Sequence, residues 1–123
     1  MIAYLAVFIG GGTGSLLRFA ISNWYAVLPA SFPYGTLISN VASCVILGFI
    51  VVLTQAKFPE TPMVKTFFTV GFCGGFSTFS TFTMETFELM RQGDFAAMGG
   101  NILFNLVLCG IAIVGGMYLA KMV

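Results

Sequence analysis

Four long stretches of this chain are almost free of charge, and they decide the solvent in which it folds. A helix needs about 20 mostly apolar residues to cross roughly 30 Å of hydrocarbon. Ile2 to Val27 carries Arg18 alone, Tyr34 to Leu53 carries no charge, and Phe95 to Ala120 carries none before Lys121. Met63 to Met90 is also long enough, with its few charges toward its ends. Pro29 and Pro33 punctuate the first connection, Lys57 and Pro59 follow the second stretch, and Thr61 before Pro62 has the form of a helix start. Charged residues make up only 7% of the chain and hydrophobic ones 59%, against about 25% and 45–50% in soluble domains. Five basic and four acidic side chains cannot coat a water-facing surface. The expected fold is an all-α membrane protein with four transmembrane helices, over about 2–27, 34–53, 63–90 and 95–120, in a single domain covering residues 1–123. The run from Ile2 to Ile9 lacks the basic flank of a signal peptide and continues through a glycine cluster, so it reads as the start of the first span. Four spans leave only short loops, with no room for a soluble domain.

The same composition excludes several function classes. A net charge of +1 provides no basic field for a nucleic acid backbone. There is no histidine, and Cys44, Cys73 and Cys109 are too far apart in sequence to form a CxxC metal or redox pair. Each cysteine sits in an apolar run and reads as a small hydrophobe, with no disulfide framework. No nucleotide-binding motif is visible. The chain does not read as an enzyme.

Loop Lys and Arg residues, enriched on the cytoplasmic side, set the orientation of a membrane protein. Lys57, Lys65 and Lys121 fall on the side holding both termini; Arg91 and Arg18 fall on the other. So small a bias is compatible with insertion in both directions and antiparallel pairing, or with one orientation fixed by partners. Small and polar residues recur every four positions along three spans: Gly10, Gly14 and Arg18; Thr36, Asn40, Cys44 and Gly48; Asn101, Asn105 and Cys109. Such faces let helices approach closely in lipid. A homo-oligomer would cover them, as would packing within one chain.

Ionisable residues inside a membrane are functional candidates by default. Arg18 either snorkels to the interface or faces a watery vestibule. Glu85 and Glu88 share one helix face near the membrane boundary. Asn40 offers two amide donors, which suit an anion or a helix-to-helix hydrogen bond. The middle of the third span is the most unusual part of the chain. There Gly74-Gly75 is expected to break the helix, and Phe76, Phe79 and Phe82 interleave with Ser77, Thr78, Ser80, Thr81 and Thr83. Aromatic ring edges are positive, so edges and hydroxyls together could face an anion; phenylalanines at helical spacing could equally be packing. Carbonyls freed by the break need protein, water or a cation.

The segments Gly11-Gly-Thr-Gly-Ser-Leu-Leu-Arg18-Phe, Gly35-Thr-Leu-Ile-Ser-Asn40 and Gly71-Phe-Cys-Gly-Gly-Phe-Ser-Thr-Phe-Ser-Thr-Phe82, in this order, closely resemble the Fluc/CrcB family of fluoride ion channels. The resemblance spans three of the four expected helices, and its third motif is the most specific. It implies an antiparallel, dual-topology homodimer with two pores, a broken third helix and a structural Na+ at the dimer interface. By motif, Asn40 would be the pore amide, and Phe79 and Phe82 would turn ring edges to fluoride from opposite subunits. Ser80, Thr81 and Thr83 would join the polar path. Main-chain carbonyls of Gly74 and Ser77 would hold Na+, Arg18 would line the vestibule and Glu85 the pore mouth. Asn101, Asn105 and Cys109 occupy a plausible pore-lining face of the fourth helix. Ser77 stands where the family often has threonine, and Phe76 replaces a more common aliphatic residue.

Fluoride is small, strongly hydrated and a strong hydrogen-bond acceptor, so a narrow path must offer many donors and positive edges rather than one trapping charge. Passive export driven by the membrane potential suffices for it. The alternative is a proton-coupled exporter of the small multidrug-resistance type, which needs a membrane carboxylate in its first helix. A noncatalytic subunit of a larger membrane assembly is a third reading. A four-span chain with near-balanced charges suits a bacterial inner membrane, with lipid and fluoride as its partners.

Overall fold

The computed structural model describes residues 1–27, 32–57 and 61–123, and every regular element among them is helical. The expected connections at Pro29 and at Pro59-Glu60 lie outside these residues. Helix α1 runs Ile2–Ala26 and α2 runs Tyr34–Lys57, a turn beyond the expected end at Leu53. The third stretch is a series of pieces: α3 (Pro62–Thr66), a π-helical segment (Phe67–Phe72), α4 (Cys73–Phe76) and α5 (Phe79–Arg91). Helix α6 closes the chain at Phe95–Lys121. Three helices, α1, α2 and α6, are long and apolar enough to cross a membrane, which makes this a multi-pass membrane protein.

Packing contacts fix the directions. Gly35 at the start of α2 lies against Ser22 near the end of α1, so these two are antiparallel. Along α1, Gly10 meets the backbone of Phe67 and Gly71, and Gly14 meets that of Phe72 and Phe76. The third stretch therefore runs parallel to α1 despite its interruptions. Helices α2 and α6 run parallel to each other: Asn40 bonds to Asn105, Gly48 touches Ile113, and Lys57 Nζ reaches the carbonyl of Val123. Consecutive stretches thus alternate in direction. Lys57 and the chain's C-terminus meet at the same end, as the charge assignment expects.

Lipid tails are as apolar as leucine, so close backbone approach and hydrogen bonds, more than hydrophobic burial, hold such helices together. A Cβ on Gly14 would fall on the Phe72 carbonyl, one on Gly75 on the Gly11 carbonyl, and one on Gly116 on the Val45 carbonyl. These positions admit only glycine because backbone, which cannot swing away, is what the side chain would strike. The glycine face of α1 and the small-residue stripe of α2 are therefore consumed within one chain. Of the two ways of covering these faces, packing within one chain accounts for Gly10, Gly14 and Gly48.

The turn between α5 and α6 is built locally. Gly93 takes φ of 78°, Asp94 N donates to Leu89 O at 3.0 Å, and Gly93 N donates to Met90 O at 3.0 Å. That double closure satisfies the last carbonyls of α5. The Asp94 carboxylate then accepts from Ala97 N at 3.0 Å and caps α6.

Candidate functional site

The break in the third stretch lies at Ser77-Thr78, not at Gly74-Gly75 as composition suggests. Both glycines stay in α4, Gly75 pinned against Gly11. Ser77 (φ −80°, ψ 159°) and Thr78 (φ −154°, ψ 121°) are extended. Two side chains stabilise this geometry. Asn40 Oδ1 accepts from Thr78 N at 2.8 Å, taking the donor that a continuous helix would give to the Gly74 carbonyl. Thr78 Oγ1 accepts from Thr81 N at 3.2 Å and caps α5.

From Asn40 a file of hydrogen bonds crosses the helices. Asn40 Nδ2 donates to Asn105 Oδ1 at 3.0 Å, Asn105 Nδ2 to Asn101 Oδ1 at 2.9 Å, and Asn101 Nδ2 to Thr86 Oγ1 at 2.9 Å. Thr86 Oγ1 donates to Phe82 O at 2.7 Å. Asn101 and Asn105 are buried and their amides are satisfied, as buried polar groups must be. The helix-to-helix bond expected of Asn40 is present, and the same residue lines a cavity. The Asn40 bond to Thr78 O is long, at 3.4 Å, and is the weakest of its contacts.

That cavity, of ≈ 260 Å³, is lined by Asn40, Asn105, Phe79, Phe82, Cys44 and Cys109, with Ser77, Thr78 and Leu106 completing it. It opens outward from the chain. A second groove continues along α5 and α6 past Phe82, Thr83 and Thr86. Phe79 and Phe82 form a ring pair 5.6 Å apart, tilted 47°. Phe79 is 79% exposed, an aromatic presented to whatever lies outside the chain. Phe76 separates from this pair: it is buried and packs on Phe72. The break places it on the opposite side of the kink, so the phenylalanines do not form one stripe.

The remaining expected site residues divide. Thr83 lines the second groove, with its hydroxyl donated to Phe79 O at 2.8 Å. Ser80 and Thr81 line neither hollow; they sit at the α5 start, Thr81 Oγ1 accepting from Thr78 Oγ1 at 3.1 Å and the Ser80 hydroxyl 3.3 Å from that of Thr78. Arg18 is half-buried, and its Nε donates to Gly75 O at 3.1 Å, an acceptor shared with Ser15 at 3.4 Å. Glu85 Oε1 accepts from Thr36 at 2.7 Å, while its Oε2 is buried without a hydrogen-bond partner among the described residues. Gly74 is exposed, with open space where a Cβ would stand.

Sequence reasoning gave no part to Thr86, to Ser43, which donates to Cys73 O at 3.0 Å, or to Thr78 as the pivot of the break. Thr86 stands four residues after Phe82, the spacing that would have placed it on the same face. Helix α1 holds Arg18 and no carboxylate, the opposite of what a proton-coupled exporter of the small multidrug-resistance type requires.

Residues 5–117 match the family described as CrcB-like protein, Camphor Resistance (CrcB). A fluoride-specific ion channel FluC from Opitutus terrae is 41% identical over 119 residues, 92% of this chain and 88% of that protein. One from Pyrococcus horikoshii is 43% identical over 115 residues, 92% and 91% of the two chains. A third, from Syntrophotalea carbinolica, is 39% identical over 123 residues, 98% and 97%. With the match running from the first helix through the broken third stretch and into α6, this chain belongs to the CrcB family.

Proposed function

We propose that the protein is a fluoride-selective passive channel of the bacterial inner membrane, working as an antiparallel, dual-topology homodimer with two pores. The observation that carries this reading is the cavity at the break. Polar side chains of Asn40, Asn105 and Thr78 stand there beside the rings of Phe79 and Phe82, with no carboxylate in the lining. Such a wall substitutes for the water shell of a small anion without trapping it. The pathway is incomplete in one chain, because the cavity opens outward and Phe79 is exposed. A second copy in the opposite orientation, related by a two-fold axis in the membrane plane, supplies the facing wall, and the near-balanced Lys and Arg distribution permits it. The broken third stretch is then the fourth span, its pieces keeping one direction across the membrane.

Each residue has a part in this reading. The long Asn40 contact to Thr78 O is the one a passing fluoride replaces most easily. Thr83 extends the polar path along the second groove, and Ser80 and Thr81 join it through their hydroxyl contacts with Thr78 at the α5 start. Asn101 and Asn105 hold the Asn40 amide in register, and Cys109 is a neutral wall residue. Arg18 uses only Nε among the described residues, leaving its other N–H donors for anions gathering at the vestibule. Glu85, bound to Thr36, stands at the far mouth.

The chain also fits a structural Na+ at the dimer interface. Thr78 N is drawn to Asn40, so the Gly74 carbonyl lacks its helical donor, and the surface above Gly74 is open. Carbonyls of Gly74 and Ser77 from two crossing breaks would hold the ion, a hard cation matched to neutral oxygens. Its charge would clamp the two breaks together.

The test is ion efflux from liposomes holding the purified protein, driven by a K+ diffusion potential. Fast fluoride release with no chloride release is the expected result. Well-folded protein that passes no fluoride, or passes chloride equally, overturns the reading.

A further inference from the structure

Helices α2 and α6 pack in a constant register that brings together two residues the sequence keeps 65 positions apart. One turn before Cys44, Asn40 bonds to Asn105; one turn after it, Gly48 touches the backbone of Ile113. The same offset, 65 positions, sets Cys44 opposite Cys109 across the two helices. Both line the open cavity beside Asn40 and Phe82. Cys73 is buried and outside that lining, and its carbonyl accepts from Ser43. None of the three cysteines is in a disulfide.

We propose that Cys44 and Cys109 form a two-thiol binding site for a soft divalent cation that accepts linear two-coordination, of which Hg2+ is the type. Thiolates select soft metals, and they bind only after losing their protons. Among the described residues no group of three histidine, cysteine or acidic side chains could hold a metal, so the ion must be content with two ligands. The balance is one Hg2+ and two thiols giving S–Hg–S and two protons: two S–H bonds break, two Hg–S bonds form, and nothing is oxidised. The product is neutral, as a mostly apolar wall demands, whereas a monovalent soft ion would leave a buried negative charge. The bound ion would stand against Asn40 in the cavity, so its block of fluoride passage rests on the channel reading above, while the binding itself does not.

The experiment titrates detergent-purified protein with Hg2+ in chloride-free buffer, following sulfur-to-mercury ultraviolet absorption and proton release. The expected result is one tightly held Hg2+ per Cys44–Cys109 pair with two protons released, unchanged in Cys73→Ser. In Cys44→Ser and Cys109→Ser a monothiol competitor should strip the ion at about a hundredfold lower concentration, since the second tethered ligand is gone. Cys44→Ala and Cys109→Ala, checked for unaltered gel-filtration elution, provide folded counterparts should a serine variant misfold. Separate Hg2+ ions on Cys44 and Cys109, or equal retention in wild type and single variants, overturn the proposal. Fluoride efflux measured on the same Hg2+-loaded protein separates the two claims: binding with undiminished flux would contradict the block alone.

Discussion

The α2–α6 pair has two ends built on opposite principles. Toward the C-termini, Gly48 and Gly116 let the backbones touch, each glycine lying on the other helix's carbonyls. Toward the N-termini, Asn40 and Asn105 join the helices through their side-chain amides, and a cavity opens beside them. Both ends belong to the same two parallel helices, so the contrast lies in the side chains alone. Glycine contact seals, and amide contact leaves polar side chains beside a hollow. The proposed anion path lies at the second end.

The contrast is broken most severely at its closed end. Gly116→Leu drives a side chain into the Val45 carbonyl, which cannot move aside, and should cost about 3 kcal/mol or more. The measurable outcome is loss of a monodisperse peak in gel filtration. Gly115→Leu, with open space around it, is expected to stay within about 0.5 kcal/mol of the parent. Equal damage from both would remove the distinction. At the open end the effect moves from folding to flux. Phe82→Ile and Phe79→Ile remove positive ring edges while keeping bulk, and each should lower fluoride efflux more than about tenfold, which a rise of only about 1.4 kcal/mol in the barrier produces. Their elution and melting should match the parent.

Two smaller changes sharpen the comparison. Asn105→Leu deletes the middle of the amide file, leaving Asn40 Nδ2 short of its best acceptor, and is expected to destabilise by about 1–3 kcal/mol in a detergent melt. Thr78→Ala removes the cap of α5 and should cost about 1 kcal/mol, with reduced helical signal confined to the start of α5 in hydrogen exchange.

Much of this architecture was legible beforehand because lipid imposes length and polarity rules on a sequence. The charge-poor stretches anticipate α1, α2 and α6, and the Gly10–Gly14 spacing identifies a contact face. The motif around Phe79 coincides with the helix break and the cavity beside it. What was not legible arises from tertiary contact. Gly74 and Gly75 have the composition of a break, yet Gly75 is held helical by Gly11, and the chain opens at Ser77-Thr78 because Asn40 captures a backbone donor there. That donor is supplied 38 residues from its acceptor, beyond any local pattern. The π-helical segment at Phe67–Phe72 has no composition signal either. The small-residue stripes identified buried faces correctly but could not say whether the same chain or another covers them. For Gly10, Gly14 and Gly48 it is the same chain.

The most direct test of the central claim, that fluoride passes the amide end of the α2–α6 pair, is efflux through Asn40→Asp. The substitution preserves shape and adds one negative charge to the cavity wall. Two like charges about 4 Å apart in a partly polar site repel by about 4 kcal/mol. Fluoride efflux from liposomes holding this variant, with its melting and elution checked against the parent, should therefore fall more than about a hundredfold. Efflux equal to that of the parent in folded protein would place the path elsewhere and leave Asn40 a purely structural residue.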